Sequence, residues 1–514
     1  TQCSGTQISK FGRKGVDSHI VIVGCGISGI GAAQKLIKHG FKNVRILEAT
    51  QRSGGRIKTT RLGNKIVEIG ANWIHGPSKE NPVFRLACRY RLLDEEALSE
   101  QNQALDVGGH PPFKPNWFCS SGGKLGPDVT EPVAALFASL LQQSQQFHAE
   151  QREPVPSVGE FLKGELARHA AQWGDGPAAR RLKLAVASVL LKLECSISGA
   201  HSMDCVGLGA YGLYETLPGL DCTFPRGYEG LIDAMMKELP RGIVSYSRPV
   251  RCIHWDGAFR RAGKTFPVLI ECENGETFPA NHVIVTVPLG YLKKHQDTLL
   301  SPALPLGKAH AIQRMGFGTN NKIFLEFDEP FWDPDCEVIY FVWDDESPVT
   351  DVVPDVQKYW MKKLFGFTVL RPTEKYGHLL CGWIAGEESE YMETLSEEEV
   401  KQSITQVIRR FTGNPVITPK RILRSQWHLD PYTCGSYSYV AVGCSASDID
   451  SIAEPLPLKQ SQSEPLQVLF AGEATSKSFF STTHGALLAG WREADRLIAH
   501  HTTSPPSAPL NSRL

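Results

Sequence analysis

The first long hydrophobic pattern of the chain is IVIV at residues 20–23, which predicts a buried strand of a parallel sheet. Small and apolar residues at 28–38 have helical periodicity, and VRILE at 44–48 predicts a second strand. Strand, helix and strand in this order form a βαβ unit, the building block of a doubly wound sheet.

The rest of the chain alternates between helical and strand patterns. Helical periodicity at 131–147 and 180–193, with a Gly/Pro-rich break at 108–127, predicts a helical insertion and not a continuation of the sheet. At 268–288 two strands flank an Asn274-Gly275 turn. Further elements are predicted as strands at 322–327, 337–343 and 378–384, a helix at 396–411, a parallel-type strand at 468–475 and a helix at 483–500.

Three glycines stand between the first strand and its helix. Gly24, Gly26 and Gly29 give the spacing G-x-G-x-x-G: the first allows a tight turn, the second lets a pyrophosphate approach the backbone, and the third lets helix pack on strand. The helix N-terminus would face the phosphates with its partial positive charge. Glu48 ends the second strand, where an acid can bind ribose hydroxyls. We therefore predict a dinucleotide site.

The stretch EATQRSGGRIKT, 48–59, argues against NAD as the bound dinucleotide. An NAD enzyme has no evident use for its two arginines, whereas Arg52 and Arg56 could neutralise a pyrophosphate from outside the first turn. Gly54 and Gly55 would let the backbone run close to a bulky ring.

Composition excludes several classes of protein. A net charge of −1 argues against a general nucleic-acid binder. The 13 cysteines show no C-x-x-C spacing, so we expect neither a zinc site nor a thioredoxin-type centre. We expect no metal ligands. No apolar run approaches the roughly 20 residues of a membrane-spanning helix, so we expect no membrane contact.

The motifs E-A-x-x-R-x-G-G-R, GANWIHG at 70–76 and FAGEAT at 470–475 resemble those of the FAD-dependent amine oxidase family, in the same order and over almost the whole chain. Within that family, WIHGP, FGTNNKIFLEF, CGSYSYVAVG and STTHGALLAGWREAD are most similar to members that oxidise N1-acetylpolyamines. Members that oxidise spermine are next in similarity.

The resemblance implies an α/β fold in which a Rossmann-like FAD-binding domain is interleaved with a substrate domain of mixed sheet and helices. The expected division is a disordered segment at 1–17, FAD-binding parts at 18–95, 223–308 and 461–501, substrate-domain parts at 96–222 and 309–460, and a flexible tail at 502–514.

The resemblance also implies which residues hold the cofactor. Ser28, Glu48 and Arg56 would bind the adenosine and pyrophosphate part of FAD, and Val250 would meet the adenine through its backbone. Asn72 and Trp73 would lie beside the flavin, and Glu473 would grip the ribityl chain. Thr482 and Thr483 open the last helix, whose N-terminus can stabilise negative charge on the reduced flavin.

For the part of the site where flavin and substrate would react, the resemblance assigns Lys322 and His75 as catalytic residues. Lys322 would hold a water against flavin N5 and, being buried at a lobe junction, should have a depressed pKa; the alternative is a strand-edge lysine in solvent. His75 would orient the substrate, or else be a core histidine.

Four further residues are candidates for substrate binding. Tyr437 would form an aromatic wall beside the flavin, or else be a core tyrosine. Asn320 would bind a substrate nitrogen, although TNN could equally form a turn. Glu194 is a candidate acid for the distal ammonium, and Ile197 would line the same tunnel.

Differences within the family bear on how the flavin is held and on the shape of the substrate cage. Monoamine oxidases attach their flavin through a cysteine immediately before the cage tyrosine, but here that residue is Ser436, and Cys434 lies two positions too early. We therefore expect non-covalent FAD. Thr482 stands where those enzymes place a second cage tyrosine, and this opens one side of the cage for a long linear substrate.

The implied reaction is oxidation of N1-acetylspermine and N1-acetylspermidine at the secondary amine, to spermidine or putrescine, 3-acetamidopropanal and hydrogen peroxide, with oxygen as acceptor. The alternatives are a spermine oxidase or broader amine oxidase, and a flavin-binding partner protein whose catalysis has decayed.

The last three residues, Ser512, Arg513 and Leu514, are similar to the Ser-Lys-Leu peroxisomal address. They predict a peroxisomal enzyme, with the import receptor as a partner and the cytoplasm as the alternative location. We expect a monomer.

Overall fold

The computed structural model describes residues 17–103 and 108–503. The predicted disordered segment, apart from residue 17, and the targeting tripeptide Ser512, Arg513 and Leu514 lie outside the described residues. The description below therefore concerns the two described ranges.

A five-stranded parallel sheet forms around the first βαβ unit. Its strands come from the start, the middle and the end of the chain, and their spatial order is Val244–Ser245, Asn43–Leu47, His19–Val23, His282–Val285 and Val468–Phe470. The chain therefore leaves this sheet and returns to it three times. The predicted α/β class and the βαβ unit are confirmed.

Two long helices cover one face of this sheet. Ile27–Lys38 follows the glycine motif, and Thr483–Thr503 packs along it near the end of the described chain. Leu36 of the first helix and Leu487 of the second are fully buried with Ile22 and Ile284 of the sheet. The core of this region thus joins residues that are more than 450 positions apart in sequence.

On the other face of the parallel sheet lies a four-stranded sheet. Its order is Thr277–Ala280, Val268–Cys272, Val250–His254 and Leu300–Ser301. The predicted Asn274-Gly275 turn joins the first two of these strands: Gly275 has φ +89°, the left-handed conformation that glycine adopts without strain. Val21, Val283 and Val250 contribute to the core between the two sheets.

A six-stranded sheet forms a second centre of the molecule. Its order is Arg421–Arg424, Asn320–Phe327, His378–Ala385, Gly366–Val369, Val338–Val342 and Pro115–Cys119. All eight residues of Asn320–Phe327 are buried because both faces of the sheet are covered. Ile323 and Leu325 pack toward Glu397–Thr412, whereas Phe324 packs with Leu62 and Trp427 on the opposite face.

One strand differs from the expectation. The Gly/Pro-rich break at 108–127 was expected to separate helices, but Pro115–Cys119 within it pairs in parallel with Val338–Val342 at the edge of the six-stranded sheet. The segment is five residues long, and its partner lies more than 200 positions away. The local sequence therefore carries no signal for this pairing.

The helical insertion is otherwise as predicted, with Pro127–Glu150 and Pro177–Ser198 packed on each other. The predicted helix at 396–411 is Glu397–Thr412, with a capping box at Ser396 and a left-handed Gly413 after its end. The other helices of at least eight residues are Pro82–Arg89, Val158–Ala170, Glu229–Lys237, Leu289–Leu299, Leu306–Arg314, Gly386–Glu393 and Ala446–Ala453.

The remaining elements are short. Four-residue helices are Glu100–Gln103, Val356–Tyr359 and Thr373–Tyr376, and 3-10 turns are Met203–Cys205, Tyr211–Leu213, Trp360–Lys363 and Glu473–Thr475. Two-stranded pairs are Thr59–Leu62 with Lys65–Glu68, Trp73–Ile74 with Cys222–Thr223, Gly108–Gly109 with Gly219–Leu220, Phe259–Arg261 with Lys264–Phe266, and Gly316–Gly318 with Tyr437–Tyr439.

Candidate functional site

One large cavity, of about 1180 Å³, extends between the parallel sheet and the six-stranded sheet. At one end it is lined by Gly24, Thr286 and Gly472, which follow the carboxyl ends of three parallel strands. At the other end it is lined by residues of the six-stranded sheet, including Lys322 and Trp383. Its volume exceeds the usual 300–1,000 Å³ of a small-molecule pocket and can accommodate a dinucleotide together with a substrate.

The structure brings almost all of the predicted site residues to this one cavity. Among the predicted cofactor, catalytic and substrate residues, all of which lie in the described ranges, only Gly29 is not on its wall. Those that line it are Gly24, Gly26, Ser28, Glu48, Arg56, Asn72, Trp73, His75, Glu194, Ile197, Val250, Asn320, Lys322, Tyr437, Glu473, Thr482 and Thr483.

The three motif glycines have three different surroundings. Gly24 has φ +111°, and a Cβ there would lie 2.4 Å from Thr286 Oγ1. A Cβ on Gly29 would lie 2.1 Å from the Gly24 carbonyl oxygen, so this glycine permits the close packing of helix and strand. A Cβ on Gly26 would have its nearest neighbour, the Gly54 oxygen, 4.0 Å away. Gly26 thus leaves open space at the end of the helix.

This open space fits a pyrophosphate. No side chain caps the N-terminus of Ile27–Lys38, and its backbone N–H groups carry the positive end of the helix dipole. The hydroxyl of Ser28 is buried and has no hydrogen-bond partner within the described residues. A buried polar group without a partner is costly, and a ligand oxygen would satisfy this one.

Glu48 lies directly after Asn43–Leu47, close to its predicted place at the strand end. Its Oε1 accepts from the Cys25 backbone N–H at 3.1 Å. Its Oε2 accepts from the backbone N–H and the hydroxyl of Thr50, at 2.8 and 2.7 Å. These bonds hold the carboxylate at the sheet edge, where ribose hydroxyls would be within the cavity.

The two arginines of the 48–59 stretch have different roles. Arg52 donates to the carbonyl oxygens of Ser53, Gly55 and Ile57, so it braces the double-glycine loop. These contacts do not support the expectation that it neutralises a pyrophosphate. Arg56 Nη1 donates to Glu473 Oε1 at 2.9 Å, and both residues line the cavity.

The Glu473 carboxylate accepts hydrogen bonds from three segments of the chain. Besides Arg56, the backbone N–H and the hydroxyl of Ser438 and the backbone N–H of Ser481 donate to its carboxylate. The side chain is 5 % exposed. Its position on the cavity wall is therefore fixed by hydrogen bonds before any ligand binds.

Lys322 lies in strand Asn320–Phe327, an inner strand of the six-stranded sheet, and is buried. This rules out the alternative of a strand-edge lysine in solvent. Its Nζ donates to the carbonyl oxygens of Glu68 and Gly70, at 2.9 and 2.6 Å, and lies 4.9 Å from the ring centroid of Trp383. Burial lowers the pKa of the Lys322 amine, as the sequence predicted.

Asn320 and Tyr437 form one hydrogen-bonded unit. The Asn320 amide donates to the Tyr437 hydroxyl at 3.1 Å, and that hydroxyl donates to the Ser196 carbonyl oxygen. Asn320 begins a strand, so the alternative of a turn is wrong. Its Oδ1 is buried without a partner within the described residues, which leaves an acceptor for an N–H group in the cavity.

His75 is held by a carboxylate that the sequence did not reveal. Its Nδ1 lies 2.8 Å from Asp221 Oδ2, and His110 Nε2 lies 3.4 Å from the same oxygen. The side chain of His75 is 43 % exposed and lines the cavity, so it is not a core histidine. Asp221 is 146 positions from His75. Only the pairing of Trp73–Ile74 with Cys222–Thr223 brings them together.

A pair of stacked indoles was also missed. The rings of Trp73 and Trp383 have centroids 5.5 Å apart and an interplanar angle of 16°. Trp73 was singled out from the sequence, but Trp383 comes from strand His378–Ala385, and only the fold places the two side by side.

Glu194 and Ile197 lie near the end of helix Pro177–Ser198. Burial raises the pKa of Glu194 to about 7, and Tyr211 is its hydrogen-bond partner. Ile197 is 60 % exposed although it is a large apolar residue, and it lines the same cavity. The pair provides an acid and an apolar wall for an elongated ligand.

At the start of the last helix, the Thr482 hydroxyl accepts from the Gly485 N–H at 2.9 Å, and the Thr483 hydroxyl contacts Tyr228 at 2.6 Å. Ser436 precedes Tyr437 and its hydroxyl bonds the Asn320 backbone, whereas Cys434 is not part of the cavity wall.

The described ranges contain no group of three or more His, Cys, Asp or Glu residues arranged to hold a metal ion. Nor does any helix in them have the length and apolar character needed to cross a membrane.

The chain is similar to characterised proteins over nearly its whole length. It is 53 % identical over 502 residues to the peroxisomal N(1)-acetyl-spermine/spermidine oxidase of Bos taurus, covering 97 % of each chain. It is 54 % identical over 485 residues to the Homo sapiens protein of the same name, covering 93 % of this chain and 94 % of that one.

Among solved structures, a double mutant from a redesign of cofactor binding in putrescine oxidase superposes with a TM-score of 0.66 at 18 % identity. The match covers 94 % of this chain and 99 % of that one, and it supports the fold. The family model for flavin containing amine oxidoreductases matches residues 27–498. The chain therefore belongs to the flavin-containing amine oxidoreductase family.

Proposed function

We propose that this chain is an FAD-dependent polyamine oxidase that acts on N1-acetylspermine and N1-acetylspermidine at the secondary amine. The products are spermidine or putrescine, 3-acetamidopropanal and hydrogen peroxide. The observation that carries the proposal is a single cavity with a dinucleotide-type glycine loop at one end and a buried lysine, an imidazole and a tyrosine at the other. The names of the two relatives support the substrate class.

The chain offers matching groups along the whole length of FAD. The space beside Gly26 and the unpaired hydroxyl of Ser28 suit the pyrophosphate, and Glu48 suits a ribose. Arg56 and Glu473 lie further along the same wall. FAD held by these residues would supply the redox chemistry, namely hydride acceptance from the carbon beside the amine nitrogen and electron transfer to oxygen. We propose that it binds non-covalently, because Ser436 replaces the cysteine that could attach it.

The other end of the cavity suits an elongated amine. Tyr437 supplies an aromatic face, and Asn320 Oδ1 supplies an acceptor for an N–H group. Glu194, whose pKa is raised to about 7 by burial, would ionise more readily beside a distal ammonium. Because burial also lowers the pKa of Lys322, less positive charge opposes the approach of a cationic substrate.

The same proposal covers the cellular location, the oligomeric state and the domain division of the protein. We propose a peroxisomal, monomeric enzyme with no membrane contact, imported through Ser512, Arg513 and Leu514. The names of both relatives include the word peroxisomal, and hydrogen peroxide is a product that suits this organelle. We also retain the proposed division into an FAD-binding domain (18–95, 223–308, 461–501) and a substrate domain (96–222, 309–460).

Substrate choice can be tested by anaerobic mixing in a stopped-flow instrument. N1-acetylspermine should bleach the oxidised flavin absorbance faster than spermine does at equal concentration. Faster bleaching by spermine would make the protein a spermine oxidase. A flavin that no polyamine reduces would contradict the enzymatic function altogether.

The role of Lys322 can be tested with Lys322→Met. The variant should retain FAD but lose at least about 10-fold in the rate of flavin reduction or reoxidation, which corresponds to roughly 1.4 kcal/mol of barrier. Lys420→Met is the matched control because its side chain is 48 % exposed beside the same sheet, and it should behave as the unmodified enzyme. Loss of FAD from Lys322→Met alone would show that Lys322 is structural.

The targeting proposal can be tested by deleting residues 512–514. The shortened protein should remain in the cytosol of transfected cells with full activity in lysates. Arg513→Lys, which restores the Ser-Lys-Leu form, should still be imported. Peroxisomal import of the deletion variant would contradict the role of the tripeptide.

A further inference from the structure

Asp221 lies at the centre of a small group of titratable side chains on the cavity wall. Its carboxylate is 3 % exposed, and its Oδ1 accepts from the Gly76 backbone N–H at 3.2 Å. Its Oδ2 faces two imidazoles, those of His75 and His110. Although burial acts to raise it, the hydrogen bonds from His75 and Gly76 hold the pKa of Asp221 below its usual value. The group is therefore an anion, and it can only accept hydrogen bonds.

This anion fixes the tautomer of His75. Because Asp221 can only accept, the Nδ1 atom of His75, 2.8 Å away, must carry the hydrogen. In the neutral imidazole, Nε2 then keeps its lone pair. The structure gives Nε2 no hydrogen-bond partner within the described residues, while the ring lines the cavity. His75 thus offers a base to a ligand in the cavity, with an anion behind it.

The other titratable groups around this pair do not compete for a proton near neutral pH. Burial lowers the pKa of His484 to about 3 and that of His110 below its usual value. Burial raises the pKa of Cys222 to about 12 and raises that of Tyr214 as well. All four groups are therefore mainly neutral in this range.

A polyamine meets this site as a cation. An alkylammonium such as that of lysine has a pKa of about 10.4, so at pH 7 only a small fraction is neutral. An amine that gives up a hydride needs its nitrogen lone pair, and the substrate must therefore lose a proton in the cavity. Lys322 already donates to two carbonyl oxygens, whereas His75 Nε2 is free to accept.

We propose that Asp221 is the positioning residue that makes His75 the acceptor of this proton, an inference that rests on the proposed polyamine oxidase function. In this step the N–H bond of the substrate ammonium breaks and the Nε2–H bond of His75 forms. The positive charge moves from substrate to imidazole and lies beside the Asp221 carboxylate. No oxidation or reduction accompanies the step. Asp221 acts only through His75, as a carboxylate does in a Ser-His-Asp triad.

His110 completes the arrangement as a neutral neighbour. Its ring packs edge-on against Trp73 with centroids 4.7 Å apart and covers the second side of the shared carboxylate oxygen. It keeps water from Asp221, and so it strengthens the electrostatic effect of that anion on His75.

The test is Asp221→Asn in the FAD-loaded enzyme. An amide presents both a donor and an acceptor and no charge, so His75 loses its fixed tautomer and its counter-ion. At about pH 7 the limiting rate constant for flavin reduction by saturating N1-acetylspermine should fall about 10- to 100-fold. The dissociation constant of the substrate should change much less.

The pH profile separates a proton-accepting role from a structural one. Between about pH 7 and pH 9.5 the neutral fraction of the amine rises about tenfold per pH unit, and it reduces the need for a base. The factor by which Asp221→Asn lowers the rate constant for flavin reduction, its rate deficit, should therefore shrink steadily as pH rises. A deficit that is the same at every pH would overturn the proposal, as would a defect confined to substrate affinity, which would make Asp221 a ligand of the ammonium.

Two controls complete the design. Glu215→Gln removes an exposed carboxylate six positions earlier in the chain and should leave reduction unchanged at every pH. Visible absorbance reports FAD retention in each variant, and a normal spectrum with slow reduction is the expected result for Asp221→Asn. If the unmodified enzyme is itself not reduced by any polyamine, the proposed function fails independently of Asp221.

Discussion

The geometry of the site depends on the hydrogen bonds that the buried Glu473 carboxylate accepts. Arg56 in the first part of the chain, Ser438 in strand Tyr437–Tyr439 and Ser481 just before the last helix all donate to it. A buried carboxylate is stable only when its oxygens have such partners. Since all three donors line the cavity, this one carboxylate joins three separate parts of the cavity wall.

This assembly gives the cavity two ends of different character. At the sheet edge, Gly26, Ser28 and Glu48 present open backbone, a hydroxyl and an acid, which match phosphates and ribose. At the far end, Lys322 and His75 are held by carbonyl oxygens and a carboxylate. The two sheets therefore hold the groups proposed to bind the cofactor and the groups proposed to meet the substrate amine in one cavity, and this combination is what the proposed oxidation requires.

Much of the fold could be predicted because its signals are local. The βαβ unit, the Asn274-Gly275 turn and helix Glu397–Thr412 each carry their own hydrophobic period, turn residues or caps, and each is confirmed. Strand Pro115–Cys119 was missed because its hydrogen bonds depend on a partner far away in sequence. The loop contacts of Arg52 could not be predicted for a related reason, since charge alone does not show that a guanidinium donates to carbonyl oxygens of its own loop.

The residues of the candidate site also divide into those that local motifs predict and those that only the fold brings together. Residues within family-like motifs, such as Asn72 and Thr482, were named in advance and line the cavity. Asp221, His110 and Trp383 were not, because each acts through a contact with a residue more than 30 positions away, and the nearby sequence carries no motif. Spacing indicates chemistry along one segment, but only the fold shows which segments share a carboxylate or stack two rings.

The central claim is that these separate segments enclose FAD, and the visible spectrum of the purified protein tests it most directly. The account predicts a yellow protein with one flavin per chain, and acid precipitation should release that flavin as intact FAD into the supernatant. A colourless protein that does not recover flavin absorbance after incubation with FAD would contradict the account.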